Sequence, residues 1–293
     1  MSNNVIIDEG SFKQIQKESI VVVVGPKNSG KTTNIRTILY YLSPFIRTSL
    51  LISNTAHVTG DFNGIIPETF SYQKYDPSIV KNLMRYQFMH IDKSDKLDSY
   101  SKYKRGCVVV MDDIFAQLKK YKNDENYIGL MTEGRHAAMT IIIGTHDVLG
   151  IPSKIRGQID YLIVTRESRK KRLQEIYDNY WQHGHIEYKQ FSKILADCTV
   201  GYKSMLIDIR KSGRPGVKIE DSVFFLQPPS KLPPFKMGIK SMWDINQKIL
   251  DPNWKKKKWL SPDNKKHETV VLRPKHQKTK HKTRKKNIIS FND

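Results

Sequence analysis

Cysteine is almost missing from this chain: Cys107 and Cys198 are its only two. Two thiols cannot build a disulfide framework, and no Cys/His cluster has zinc spacing, so a reducing compartment is expected. Long apolar runs are missing as well; none approaches the roughly 20 residues that a membrane-spanning helix needs. The opening residues, MSNNVIIDEG, have neither the basic nor the apolar region of a secretory leader, and secretion is not expected. Acidic charge is scarce, with 29 Asp and Glu against 50 Lys and Arg, a net of +21. A field of that sign attracts polyanions, nucleic acid first among them. The excess is unevenly placed: residues 251–293 hold 14 Lys and Arg but only 4 Asp and Glu.

What apolar content there is gathers into short β-branched runs. IVVVV (20–24) is a strand buried on both faces of a parallel sheet, and SLLIS (49–53), CVVVMDD (107–113), TIIIGTHD (140–147) and YLIVTR (161–166) follow. Helical spacing lies between them, at 32–42, 76–91 and 125–139, the last interrupted or ended near Gly134. Further helices fall at 170–181 and 188–197. Alternating strands and helices predict an α/β fold, a mostly parallel sheet flanked by helices. YKSMLIDIR and VKIEDSVFFL then flank the turn KSGRPG as a C-terminal β-hairpin. Four prolines in QPPSKLPPFKMG mark a boundary. This divides the chain into a core at 1–226, a linker at 227–240 and a basic arm at 241–293, with a short helix at 243–250 and a Lys-rich end expected to be disordered when free.

The loop after the first strand carries the chemistry. Gly25, Pro26, Lys27, Asn28, Ser29, Gly30, Lys31 and Thr32 fit G-x-x-x-x-G-K-[ST], with Thr33 next and a helix following. The glycines permit a curl whose N–H groups face phosphate oxygens, and the helix adds its positive end. Lys31 is expected to reach the β- and γ-phosphates of ATP, and the Thr32 hydroxyl to hold Mg2+. At the tip of CVVVMDD, Asp112 is placed to hold the magnesium and Asp113 to orient or deprotonate an attacking water; a turn-capping role is the alternative for Asp113. A GTPase would show N-K-x-D after a later strand, whereas this chain has GTHDVLG. Tandem-core helicases need a second core that the length forbids. A P-loop kinase with a localising basic tail remains the alternative to a motor on nucleic acid.

GPKNSGKTT, VVVMDDI, GRHAAMTIIIGTHD, IPSKIRGQIDYLIV and SMLIDIR, in this order, resemble the genome-packaging ATPases of poxviruses. More widely they resemble the packaging ATPases of other large DNA viruses and the FtsK–HerA group of DNA pumps. The resemblance covers residues 19–226 and implies a RecA/FtsK–HerA-like P-loop NTPase core. It implies an ATPase that drives viral DNA into the forming particle as a homo-oligomeric ring of roughly five or six copies. Portal or other virion proteins would be partners, in the host cytoplasm at assembly sites and in the virion. It also carries over Lys31 and Thr32 as phosphate and magnesium contacts, Asp112 as the magnesium carboxylate and Asp113 as the catalytic acid. Relatives often end the third strand in Asp-Glu and place a glutamine sensor after the fourth; here Thr145 and His146 occupy that place.

A neighbouring subunit's arginine can speed phosphoryl transfer by about 10³–10⁵. Arg135 and Arg156 are expected next to strand ends on the site edge, with Arg166 a third choice. In the arm, WKKKKW sets Trp254 and Trp259 around Lys255, Lys256, Lys257 and Lys258, and the charge continues to Arg284, Lys285 and Lys286. These suit double-stranded DNA phosphates without sequence readout; import or membrane-surface contact are the alternatives. The calcium-like DKSDKLDSYSKY lacks the central glycine and final glutamate of such a loop.

Overall fold

The computed structural model describes residues 5–94 and 103–250. Eight strands form one sheet: β1 (Ile20–Val24), β2 (Ile46–Ser53), β3 (Ser71–Tyr72), β4 (Gly106–Asp112), β5 (Met139–Thr145), β6 (Tyr161–Val164), β7 (Ser204–Asp208) and β8 (Val223–Leu226), in the order β3-β2-β4-β5-β1-β6-β7-β8. All pairings through β6 are parallel, while β7 is antiparallel to both of its neighbours. The helices that return the chain are α1 (Lys31–Leu42), α2 (Pro77–Ser94), α3 (Glu125–Glu133), α4 (Lys170–Tyr180), α5 (Tyr188–Cys198) and α6 (Lys240–Ile249).

The β-branched runs are continuous because both faces of the sheet are covered. Val21 and Val23 pack with Ile35, Ile38 and Leu39 of α1, whereas Val22 and Val24 pack in a second cluster with Leu130 of α3, Ile176 of α4 and Phe191 of α5. Every residue of β1, β4 and β5 is buried. Burying one such side chain stabilises by about 1.5–3 kcal/mol, so the central strands anchor the fold. The functional consequence is positional: parallel strands bring all their C-terminal ends to one edge.

Both outer edges of the sheet are short or covered. β3 has only two residues. Along β8, Phe225 N–H donates to Asp8 O at 3.0 Å and Gly10 N–H donates to Phe225 O at 2.9 Å.

The structure departs from the sequence-based expectations chiefly at strand ends and in the last hairpin. The second strand starts at Ile46 rather than 49, because its first pairs cross a register shift between Ile46 and Thr48 that breaks the apolar pattern. The fifth ends at Val164, releasing Thr165 and Arg166 into the following loop. The hairpin pairs Ile207 with Val223, so its connection spans 209–222, far more than KSGRPG. Buried Ile219 draws that stretch into a 3-10 turn, Ile219–Asp221, after which Ser222 O accepts Asp208 N–H at 2.8 Å and Ser222 Oγ meets His183 Nε2 at 2.8 Å.

Residues 227–240, read as a linker, bond to the core at several points. Met237 is fully buried and its N–H donates to Ile65 O at 2.8 Å; Ile239 N–H donates to Arg47 O at 3.0 Å. From α6, Trp243 Nε1–H donates to Met237 O at 2.9 Å, and Asn246 Oδ1 accepts from Thr69 N–H at 3.0 Å. The expectations for Trp254, Lys255, Lys256, Lys257, Lys258, Trp259, Arg284, Lys285 and Lys286 lie outside the described residues, as does most of the calcium-like stretch.

Candidate nucleotide site

Register aligns the chemistry. Ser53 pairs with Asp112, Asp112 with Gly144, Val24 with Thr145 and Val24 with Val164, so five strands end side by side around the loop 25–30. That loop curls as its glycines require. A Cβ at Gly25 would stand 1.8 Å from Thr165 Oγ1, and Gly30 has φ 92°, a left-handed geometry open to glycine. Asn28 also turns left-handed at φ 60°. Ser29 Oγ donates to Pro26 O at 2.7 Å, or else to Thr165 Oγ1 at 2.6 Å, with the latter pair free to bond in either sense. α1 starts at Lys31, with Thr32 half-buried and Thr33 exposed in its first turn.

Lys31 is buried, and its ammonium donates to Pro26 O at 2.9 Å. Burial lowers its pKa, opposed by the charges of Asp113 and Asp112. His146 Nδ1 lies 3.2 Å from Lys31 Nζ and 2.9 Å from Gly25 O; its Nε2 lies 3.0 Å from Asp113 Oδ1. Gly25 O can only accept, so that contact calls for a protonated Nδ1, whereas donation from Lys31 calls for a bare one; the two bonds to Nδ1 exclude each other. Thr145 turns away: its hydroxyl donates to Asp147 O at 3.1 Å and accepts Asp147 N–H at 2.9 Å.

Asp112 is buried, and its Oδ1 has no hydrogen-bond donor. Burial, then neighbouring Asp113, pushes its carboxyl up to about 7, while Lys31 pulls it back. A buried carboxylate oxygen without a donor is costly unless a cation or proton reaches it. Asp113 leaves the strand in the left-handed region at φ 53°, and Asn54 Nδ2–H donates to its carbonyl at 3.1 Å. Gln117 joins this edge by donating to Asn54 Oδ1 and accepting Tyr75 N–H at 2.9 Å.

The arginines do not gather where expected. α3 runs back across the sheet, so Arg135 lies at the opposite, N-terminal edge of the strands. There its Nη2 donates to Asp160 Oδ1 at 3.2 Å, while Asp160 Oδ2 accepts Ile20 N–H at 2.8 Å. Arg135 keeps 52% of its side chain exposed and borders a cleft of about 420 Å³ with Arg210 and Arg214. Arg156 donates to Ile151 O at 2.9 Å, to Leu149 O at 3.4 Å and to Asn179 Oδ1. Arg166 alone of the three follows a strand end beside the loop, one residue past Thr165, and it is exposed.

Sequence reading missed Thr165, Gly144, Asn34 and Ser204. Asn34 Nδ2–H donates to Gly30 O at 2.9 Å, and its Oδ1 accepts from Ser204 Oγ at 2.8 Å. The available signal for Thr165 and Gly144 was their place at the tips of buried parallel strands.

A glycine-bounded loop between a buried strand and a helix, with a buried carboxylate on a nearby parallel strand, defines a P-loop nucleoside triphosphatase core. The chain belongs to the Poxvirus A32 protein family, which matches residues 11–225. It is 26% identical over 235 residues to the uncharacterized protein L437 of Acanthamoeba polyphaga mimivirus, covering 80% of each chain. It is likewise 26% identical to the uncharacterized protein 088R of Invertebrate iridescent virus 3, over 82% of this chain and 88% of the relative. Its fold is similar to that of the genome packaging NTPase B204 from Sulfolobus turreted icosahedral virus 2 in complex with sulfate. The TM-score is 0.53 at 18% identity, covering 74% of this chain and all of that one. The complex of B204 with AMPPCP gives 0.50 at 18%, over 73% of this chain and all of the other. Among the described residues, no helix is long and apolar enough to cross a membrane.

Proposed function

We propose that the chain is an ATP-hydrolysing, ring-forming DNA translocase that packages viral genomic DNA into the forming virion. The observation that carries this reading is the donor-free, buried Oδ1 of Asp112 at the same strand edge as Lys31 and the phosphate loop. That oxygen fits a divalent cation. Thr32 and Asp112 would hold Mg2+, which supplies charge neutralisation for the phosphates when bound. Family membership and the fold shared with B204 support packaging as the work done.

The chain's own residues have separable tasks. The loop 25–33 binds phosphate oxygens through backbone N–H groups and the α1 N-terminus. Lys31 exchanges Pro26 O and His146 for phosphate oxygens, and its full charge is favoured by Asp112 and Asp113. Asp113 orients the attacking water and accepts its proton; His146, beside both Lys31 and Asp113, senses the filled site. Arg135 is the candidate donor to a neighbouring subunit's site, since it sits away from its own loop with half its side chain exposed. The basic residues of 251–293 hold duplex DNA by charge, independent of sequence.

The test is ATP hydrolysis by the full chain with and without linear duplex DNA, beside Lys31→Ala and a variant with Lys255, Lys256, Lys257 and Lys258 all changed to Ala. Stimulation by DNA that is lost in Lys31→Ala and weakened in the quadruple variant supports the reading. Hydrolysis by an assembled oligomer that ignores DNA sinks it.

A further inference from the structure

The two flanks of the phosphate loop are unlike. On the side of β5 and β4 stand Asp112, Asp113 and His146, all charged or polar. On the side of β6 and β7, the strand ends hold the loop by hydroxyl groups. Val164 pairs with Met205, and the next residues outward both reach the loop or its helix: Thr165 Oγ1 meets Ser29 Oγ at 2.6 Å, and Ser204 Oγ donates to Asn34 Oδ1 at 2.8 Å.

The polarity of a bound nucleotide follows from this. Its γ end lies towards Lys31 and Asp112. Its α-phosphate end leaves past Thr33, the exposed residue after the magnesium threonine. Asn34, one residue on, is fully buried against Ser204. A nucleotide with its γ end at Lys31 and its α end at Thr33 would carry its sugar and base towards the β6–β7 flank, where Ser204 meets Asn34.

Those residues form an unusual rim. Gly201 has φ 64° and Tyr202 has φ 65°, two left-handed residues in succession, the second an aromatic that rarely adopts this geometry. The turn leaves Val200 65% exposed and Tyr202 76% exposed, whereas Cys198 and Thr199 just before them are buried. Lys203 is not part of that rim: its ammonium sits 4.4 Å from the Phe225 ring centroid. A β-branched side chain and an aromatic ring thus stand in solvent just ahead of Ser204, the residue that meets Asn34 in the first turn of α1. An open aromatic face suits a flat heterocycle, which it stacks without reading hydrogen-bond edges.

We propose that the loop Val200-Gly201-Tyr202 is the nucleobase platform of the site, with the Tyr202 ring stacking on the base and Val200 shielding it. The inference rests on the nucleotide-site reading above and names the part of the ligand that reading leaves unplaced. An aromatic platform without a base-edge reader accepts adenine and guanine alike, so discrimination between ATP and GTP is weak.

The test is calorimetric binding of MgATP, MgGTP and magnesium tripolyphosphate, which has no base, to the full chain and to Tyr202→Gly and Tyr202→Phe. Glycine adopts φ 65° without strain, so removing the ring this way leaves the turn intact. Tyr202→Gly is expected to weaken MgATP and MgGTP by about ten-fold or more, the order that base–aromatic stacking supplies, with tripolyphosphate affinity unchanged and Tyr202→Phe close to wild type. Equal losses for nucleotide and tripolyphosphate would mean that the loop only supports the fold, and unchanged MgATP affinity would remove the platform; either result overturns the proposal. A wild-type chain that binds neither MgATP nor tripolyphosphate would instead bring down the nucleotide site itself.

Discussion

The carboxylate of Asp112 fills the space that a side chain on Gly144 would need: a Cβ there would stand 2.1 Å from Asp112 Oδ1 and 3.0 Å from Ile35 Cδ1. The two residues are register partners on β4 and β5, so the missing side chain on one strand is what lets the other direct a carboxylate along the strand ends.

Gly144→Ala should accordingly act as a catalytic lesion without touching the phosphate loop. The added methyl displaces Asp112, at a stability cost of about 1–3 kcal/mol. Hydrolysis should fall towards the level of Asp112→Asn while metal-free ATP binding persists. Steady-state hydrolysis beside equilibrium binding in EDTA checks this, and an Ala variant with wild-type turnover would refute it.

Asp112 should also cost the free protein stability. Burial and Asp113 raise its carboxyl to about 7 in the fold, against roughly 3.9 in an unfolded chain. Between those values the unfolded chain has lost the proton and the folded one keeps it, so stability falls as pH rises through the window. In EDTA, Asp112→Asn should melt several degrees above wild type near about pH 7.5 and close to it near about pH 4, while losing hydrolysis. Thermal melts at the two pH values decide it, and equal melting near pH 7.5 would contradict it.

Ser204→Ala removes the donor to fully buried Asn34 Oδ1. An acceptor left without a partner costs about 1–3 kcal/mol, which in a chain of this size lowers the melting temperature by a few degrees. Ser204→Thr, which retains the hydroxyl, should recover part of the loss. A neutral Ala variant would mean that another donor reaches Asn34.

Arg135→Ala should leave ATP binding intact and abolish hydrolysis only in the assembled oligomer, by about 10³-fold if the guanidinium acts on a neighbour. Mixing Arg135→Ala with Lys31→Ala subunits should restore part of the activity, because some interfaces then pair an intact loop with an intact arginine. Mixtures as inactive as either parent would remove Arg135 from the catalytic role.

Much of this arrangement was legible in the sequence because parallel strands covered on both faces must be apolar throughout, as 20–24 and 107–111 are. The phosphate loop was legible for a different reason: its backbone geometry admits few residues at positions 25 and 30. Arg135 was misplaced because local pattern marks where α3 ends but not that it runs back to the far edge. The connection between β7 and β8 was misread since KSGRPG carries strong turn signals, while the burial of Ile219 depends on distant packing. Proline content marks 227–240 as a separator, yet Met237 finds a fully buried place against the segment that includes Ile65.

The sheet that carries the site ends on one side in the two-residue β3 and is covered on the other by residues 8–10 along β8. Among the described residues, neither edge offers a long open strand on which a second copy could extend the sheet. If copies assemble, that edge geometry favours contacts made by side chains on helices and loops over strand addition. In a machine of several copies, the bending would be confined to the seams between subunits.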